Sequence, residues 1–256
     1  MKSFFFKSNL ILYFTHFLNF IFGYLFILIC TNYLSTDNSF QFTGFISLLN
    51  IFLIPVSCLA ISLTGLYKNG KMNKQNYSII YSKSIFFFLI IVSLILILEI
   101  FFNLNKFVKI NEKYYFLIIL LLFINLFFSL ENAENLANQK FFKYSIINST
   151  PFIIRFILIF ILLVLLKNKE FYLVILVYIL SFTFLFKDYL NRFFTFYSIK
   201  NIYKKNMSEN FNFFKNILTL SIFTIVINID VIACRYIDPV NSTNYYIESL
   251  FGKIVF

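Results

Sequence analysis

The chain has 256 residues, is 60% hydrophobic and only 13% charged, and has a mean hydropathy of +0.83. Repeated apolar runs of about 20 residues read as transmembrane helices and exclude an ordinary soluble domain. The net charge of +11 does not point to a nucleic-acid partner, because the lysines sit between apolar runs, where the positive-inside rule accounts for them.

Apolar segments are expected at about 9–33, 43–66 (interrupted by Pro55), 78–104, 113–137, 145–166, 171–186 and 214–236. An eighth starts near Thr243 and is unfinished at Phe256. The expected fold is all-α, a polytopic membrane helix bundle of about eight spans. Residues 1–190 form a six-helix lobe, 191–213 a basic amphipathic cytoplasmic linker, and 214–256 the start of a second lobe. The linker, from Asn191 to Lys205 and beyond, interleaves Lys with Phe and Tyr, a pattern suited to anionic headgroups. An ordinary cytoplasmic loop is the plainer reading of it.

Orientation follows from the connections. With the N-terminus inside, the inner connections hold 13 Lys and Arg, from Lys2 and Lys7 through Lys140 and Lys143 to Lys215. The outer ones hold 6: Lys106, Lys109, Lys113, Lys167, Lys169 and Arg235. This asymmetry predicts an inside N-terminus. The first segment is not followed by a small-residue cleavage site, so it reads as a membrane helix and not as a removed signal peptide. Cys30, Cys58 and Cys234 stand singly in apolar runs and read as small buried residues, with no metal or cofactor implied.

Polar side chains within the spans are the candidate functional groups. In the first segment Asn9, Tyr13, His16, Phe20 and Gly23 share a stripe suited to a bundle interior or a wet cavity. His16 is either satisfied by an interhelical hydrogen bond or serves as a protonation switch. The fourth segment ends with Glu131, Glu134, Asn135 and Asn138 on one stripe. Two carboxylates so spaced would repel when both are ionised, which suits ion coupling, unless the helix end is simply wet. Arg155 falls near the middle of the fifth segment, with Asn148 and Pro151 on its face. Such an Arg needs a carboxylate, a hydrated cavity or an anionic ligand. In the seventh segment Asn228 and Arg235 share a face, whereas Asp230 points elsewhere; Lys253 lies about ten residues into the eighth.

A weak internal repeat aligns Cys30-Thr-Asn-Tyr-Leu-Ser35 and Gly44–Leu48 with Cys234-Arg-Tyr-Ile-Asp-Pro239 and Tyr246–Leu250. It suggests two lobes related as parallel repeats, a common transporter plan. Chance similarity between two biased apolar stretches is the alternative.

The stretch Asn228-Ile-Asp230-Val-Ile-Ala-Cys-Arg-Tyr-Ile237, followed by Asn244-Tyr-Tyr246, and the stretch Asn135-Leu-Ala-Asn-Gln139-Lys-Phe-Phe142 carry a family resemblance. The chain resembles the polysaccharide and O-antigen flippases, the oligosaccharidyl-lipid branch of the multidrug/oligosaccharidyl-lipid/polysaccharide exporter superfamily, and looks like an N-terminal fragment of one. Lys140 stands where that family usually has Gly, and no Gly precedes Tyr245. The resemblance implies movement of an undecaprenyl-pyrophosphate-linked oligosaccharide across a bacterial inner membrane by alternating access. It also implies association with anionic lipids, and with polysaccharide polymerases and glycosyltransferases of the same pathway. Arg155, Lys253, Arg235 and Asn228 are the expected pyrophosphate and cavity residues. Asp230, Glu131, Glu134 and His16 are the expected ion-coupling residues. Two alternatives remain open: a cation-coupled drug exporter of the same superfamily, and a membrane enzyme such as a polysaccharide polymerase or acyltransferase. The single histidine and the lack of a Ser/His/Asp set or a Gly-rich phosphate loop favour a protein that is not an enzyme.

Overall fold

The computed structural model describes residues 2–68, 113–182 and 241–252, with separate positions between 88 and 99 and between 219 and 238. Asn228, Arg235, Lys253 and the 191–213 linker lie outside the described residues. The described chain is helical: α1 (Lys2–Tyr33), α2 (Thr36–Lys68), α3 (Lys113–Ala137), α4 (Phe141–Ile159), α5 (Phe171–Leu180) and α6 (Ser242–Gly252). A π-helical turn, Phe160–Leu165, extends α4.

Helix ends depart from the apolar boundaries in ways that capping explains. α2 starts at Thr36, ahead of the first long apolar run, because Ser35 acts as its N-cap. The Asn38 N–H donates to Ser35 Oγ at 3.4 Å, the Ser39 N–H donates to the Ser35 carbonyl at 2.7 Å, and Asp37 sits in the first turn, where a carboxylate suits the helix dipole. The helix also runs on through Pro55, where an interruption was expected. A proline costs one backbone bond, and packed neighbours inside a membrane bundle tolerate that loss. α3 ends in a Schellman-type turn: the Lys140 N–H donates to the Asn135 carbonyl at 2.8 Å, and Gln139 takes φ 56°. That left-handed residue breaks the helix and lets α4 restart at Phe141.

Four helices are long and apolar enough to cross a membrane: Ser8–Tyr33, Thr36–Ser57, Phe116–Ala137 and Phe141–Leu165. The protein is therefore an all-helical membrane protein over its described residues. Shorter apolar helix is present at Phe171–Leu180 and at the described positions between Phe88 and Ile97.

The described helices run in two directions. α1 and α4 run parallel, with Thr15 beside Ser145 and Phe22 beside Phe156. α2, α3 and α5 all start at the opposite end. There Asn38 Nδ2 donates to the Lys169 carbonyl at 2.8 Å, and Phe171 packs on both Tyr114 (4.7 Å between centroids) and Phe45 (6.0 Å). Lys2, Lys7, Lys68, Lys140 and Lys143 belong to the first end. Lys113, Lys167 and Lys169 belong to the second. This difference supports an inside N-terminus.

The interior lies where α2 meets α3 and α1 meets α4. Phe42, Phe45, Leu49, Leu121, Leu122 and Leu126 are fully buried there. Lipid tails are as apolar as these side chains, so burial from lipid gains little and close packing supplies the stability. Edge-to-face pairs such as Phe26–Phe42 and Phe123–Phe127 each contribute about 0.5–1.5 kcal/mol. Leu10, Phe14 and Phe17 on α1, and Ile146, Ile157 and Phe160 on α4, face outward, as an apolar solvent requires.

Candidate functional site

Arg155 is a buried charge inside the apolar span of α4. It lies 14 residues after the start of α4, about 21 Å along the axis at 1.5 Å per residue. In the 25-residue apolar span Phe141–Leu165 it stands 10 residues before the far end, near the middle of the span. The side chain is 5% exposed. Nε donates to Ser181 Oγ at 3.1 Å, and Ser181 in turn donates to the Tyr178 carbonyl at 2.7 Å. The guanidinium carbon stands 3.6 Å from the Tyr178 ring centroid, 5.1 Å from that of Phe152 and 5.2 Å from that of Phe182. Among the described residues no carboxylate lies within ion-pair distance of it. Ring faces and a hydroxyl stabilise a guanidinium, but they bring no opposite charge. Among the described residues the charge of Arg155 is therefore met by rings and a hydroxyl, without a carboxylate.

Pro151 fixes the approach. It is buried on the same face one turn earlier, and it leaves the Ile147 carbonyl without its usual helical donor. Asn148 is half-buried on that side, accepting from Asn132 Nδ2 at 3.4 Å and donating to the Tyr144 hydroxyl at 3.3 Å. A polar row thus leads from the N-terminal end of α4 toward Arg155.

Tyr178 connects this centre to α6. Its hydroxyl is an electrostatic neighbour of Tyr246, which is 3% exposed and accepts from Asn50 Nδ2 of α2 at 3.5 Å. On the adjoining position of α6, the Tyr245 hydroxyl donates to Asp230 Oδ2 at 3.0 Å, and Ser249 Oγ donates to the same oxygen at 3.3 Å. Asp230 is thus a half-buried carboxylate held by two hydroxyls from α6.

Glu131 and Glu134 differ in setting. Glu131 is 1% exposed and accepts from Lys143 Nζ at 3.1 Å, the lysine being 52% exposed. Glu134 is half-buried, and Asn135 is buried with its Nδ2 donating to the Glu131 carbonyl at 3.0 Å. A lysine reaching across the α3–α4 turn therefore offsets the repulsion expected of two neighbouring carboxylates.

The α1 stripe is split. Tyr13 is 77% exposed, and His16 and Phe20 also look outward, away from the packed interior of the described helices. Only its Gly23 end faces α4, with Phe152 Cδ1 at 3.4 Å from where a Cβ would stand. The buried face holds Thr15, Phe26 and Cys30. A residue step turns a helix by about 100°, so Thr15 and His16 point apart. Ser145 and Phe152 on α4 select the face that offers a small hydroxyl and a glycine.

Sequence reasoning missed Lys143, Tyr178, Ser181, Tyr245 and Ser249. The repeat offered a clue to α6: the Leu34 N–H donates to the Cys30 carbonyl at 3.1 Å, and the Asp238 N–H to the Cys234 carbonyl at 2.8 Å. In both places a new helix begins within a few residues, at Thr36 and at Ser242. Among the described residues no three His, Cys, Asp or Glu side chains group as a metal site.

No protein-family model, no curated protein and no solved structure matches the chain.

Proposed function

We propose that the protein takes part in moving an anionic, lipid-linked oligosaccharide across a bacterial inner membrane, as one six-helix lobe with the start of a second. The observation that carries this reading is Arg155: a guanidinium at mid-depth whose contacts are a hydroxyl and three ring faces. A pyrophosphate headgroup must cross a low-dielectric slab while its lipid tail stays in the bilayer. A fixed cation halfway lowers that barrier, and rocking of one lobe against the other would change the side of access. Lysines at the inner end would attract the headgroup before it enters.

The test is transport into vesicles of a fluorescent undecaprenyl-pyrophosphate oligosaccharide, comparing wild type with Arg155→Gln. We expect at least a tenfold loss of transport at equal membrane level, with partial retention in Arg155→Lys. Unchanged transport in Arg155→Gln would remove the assignment.

A second reading, cation-coupled export, is favoured by Asp230 with the Tyr245 and Ser249 hydroxyls, an all-oxygen set within the bundle. An inward sodium or proton gradient should then accelerate transport in wild type and have no effect in Asp230→Asn.

A further inference from the structure

Serine and threonine in these helices generally return their hydroxyl proton to the backbone. Thr43, Ser47, Ser57 and Thr150 each donate to the carbonyl three or four residues earlier, at 2.6–3.1 Å. Ser149 breaks this habit. It is 6% exposed, and its Oγ is buried without a hydrogen-bond partner. On α1, Asn19 Oδ1 is likewise buried and unpartnered.

The two groups belong to one layer. Thr15 Oγ1 lies 2.6 Å from Ser145 Oγ, and Asn19 and Ser149 come four residues after that pair on helices that run parallel. One turn further, Gly23 meets Phe152. Asn19 and Ser149 thus share the level between a hydroxyl contact on one side and a ring contact on the other, an interval of about two turns of 5.4 Å.

We propose that this layer is a binding site for one ordered water, which accepts from the Ser149 hydroxyl and donates to Asn19 Oδ1. Unsatisfied polar groups are costly in a membrane interior, and a buried water is the usual remedy where both a donor and an acceptor are stranded. The pair selects the occupant: one side gives a proton and the other takes one, and both are neutral. A bare cation would find only two neutral oxygens and no countercharge. A larger ligand has no room between the Thr15–Ser145 and Gly23–Phe152 contacts.

X-ray hydroxyl-radical footprinting of the full chain in lipid nanodiscs, in water enriched in oxygen-18, tests this directly. Radicals born at a bound water attack the nearest side chain, here Phe152. We expect Phe152 to be labelled several-fold faster than buried Phe26 and half-buried Phe156. In Asn19→Leu/Ser149→Ala, Phe152 should fall to the rate of Phe26, with the helical circular dichroism unchanged. Labelling of wild-type Phe152 no faster than Phe26 and Phe156 would overturn the proposal, and so would fast labelling that survives in a folded double variant. If the double variant fails to fold, the wild-type comparison decides alone.

Discussion

The guanidinium carbon of Arg155 stands over the ring of Tyr178, 3.6 Å from its centroid, within the apolar span of α4. The contact joins α4 to α5 and holds a permanent charge in one orientation. Tyr178 is also an electrostatic neighbour of Tyr246 of α6.

Tyr178→Phe keeps the ring face and should change stability by no more than about 1 kcal/mol. Tyr178→Leu removes a desolvated cation–π contact worth about 2 kcal/mol and opens a cavity. We expect a loss of about 2–4 kcal/mol, read by unfolding in mixed detergent micelles. Equal stability of the two variants would show that the stack contributes nothing.

Lys143→Ala leaves the carboxylate of Glu131 without its lysine. The lysine is half-exposed, so screening limits the cost to about 1 kcal/mol. Adding Glu131→Gln to Lys143→Ala should restore part of the loss, because a neutral amide is cheaper to bury. A double-mutant cycle in the same micelles measures the coupling, and an additive cycle would dissolve the pair.

Gln139 closes α3 in a left-handed conformation that costs an L-residue about 1–2 kcal/mol. Gly takes it without strain but gives back some of that gain through greater chain entropy when unfolded. Gln139→Gly should therefore stabilise by up to about 1 kcal/mol, visible as a raised Tm. Gln139→Val at the same position should lower it.

At Gly23 an added methyl group would stand at the edge of ordinary contact with Phe152. Gly23→Ala should be neutral or mildly stabilising, since Ala favours a helix by about 1 kcal/mol. Gly23→Leu should destabilise by about 1–3 kcal/mol through overpacking. Tm values of both variants beside wild type check this; a tolerated leucine would mean that α1 is not held closely on α4.

The orientation is open to a thiol-labelling test. In a background with the native cysteines replaced, Lys169→Cys should react with an impermeant maleimide added to intact cells. Lys140→Cys should react only after the membrane is permeabilised. The reverse pattern would invert the bundle.

The all-helical character and the long apolar helices were legible in the sequence because both depend on a local quantity, apolar run length. The surroundings of Arg155 were not legible. Ser181 and Tyr178 lie in the next span, and nothing in the spacing of α4 says which neighbouring helix turns an aromatic face toward it. The Glu131–Lys143 pair was hidden for a similar reason: its members flank a helix break, and helical periodicity does not run across a left-handed residue. Periodicity also failed on α1, where two adjacent stripes both held polar groups. Only the partner helix, with Ser145 and Phe152, decided which of them was buried.

The π-helical turn at the end of α4 has a consequence for how this chain can change length. The Leu166 N–H reaches back to the Ile161 carbonyl at 2.9 Å, five residues away, so the turn houses one residue more than a regular helix would. Such a turn absorbs an insertion without rotating the helix on its inner side. Arg155 and the seam with α1 are thereby insulated from indels near the 167–170 loop. Deleting one residue between Phe160 and Leu165 would tighten the spiral to ordinary pitch and re-aim only the residues beyond it.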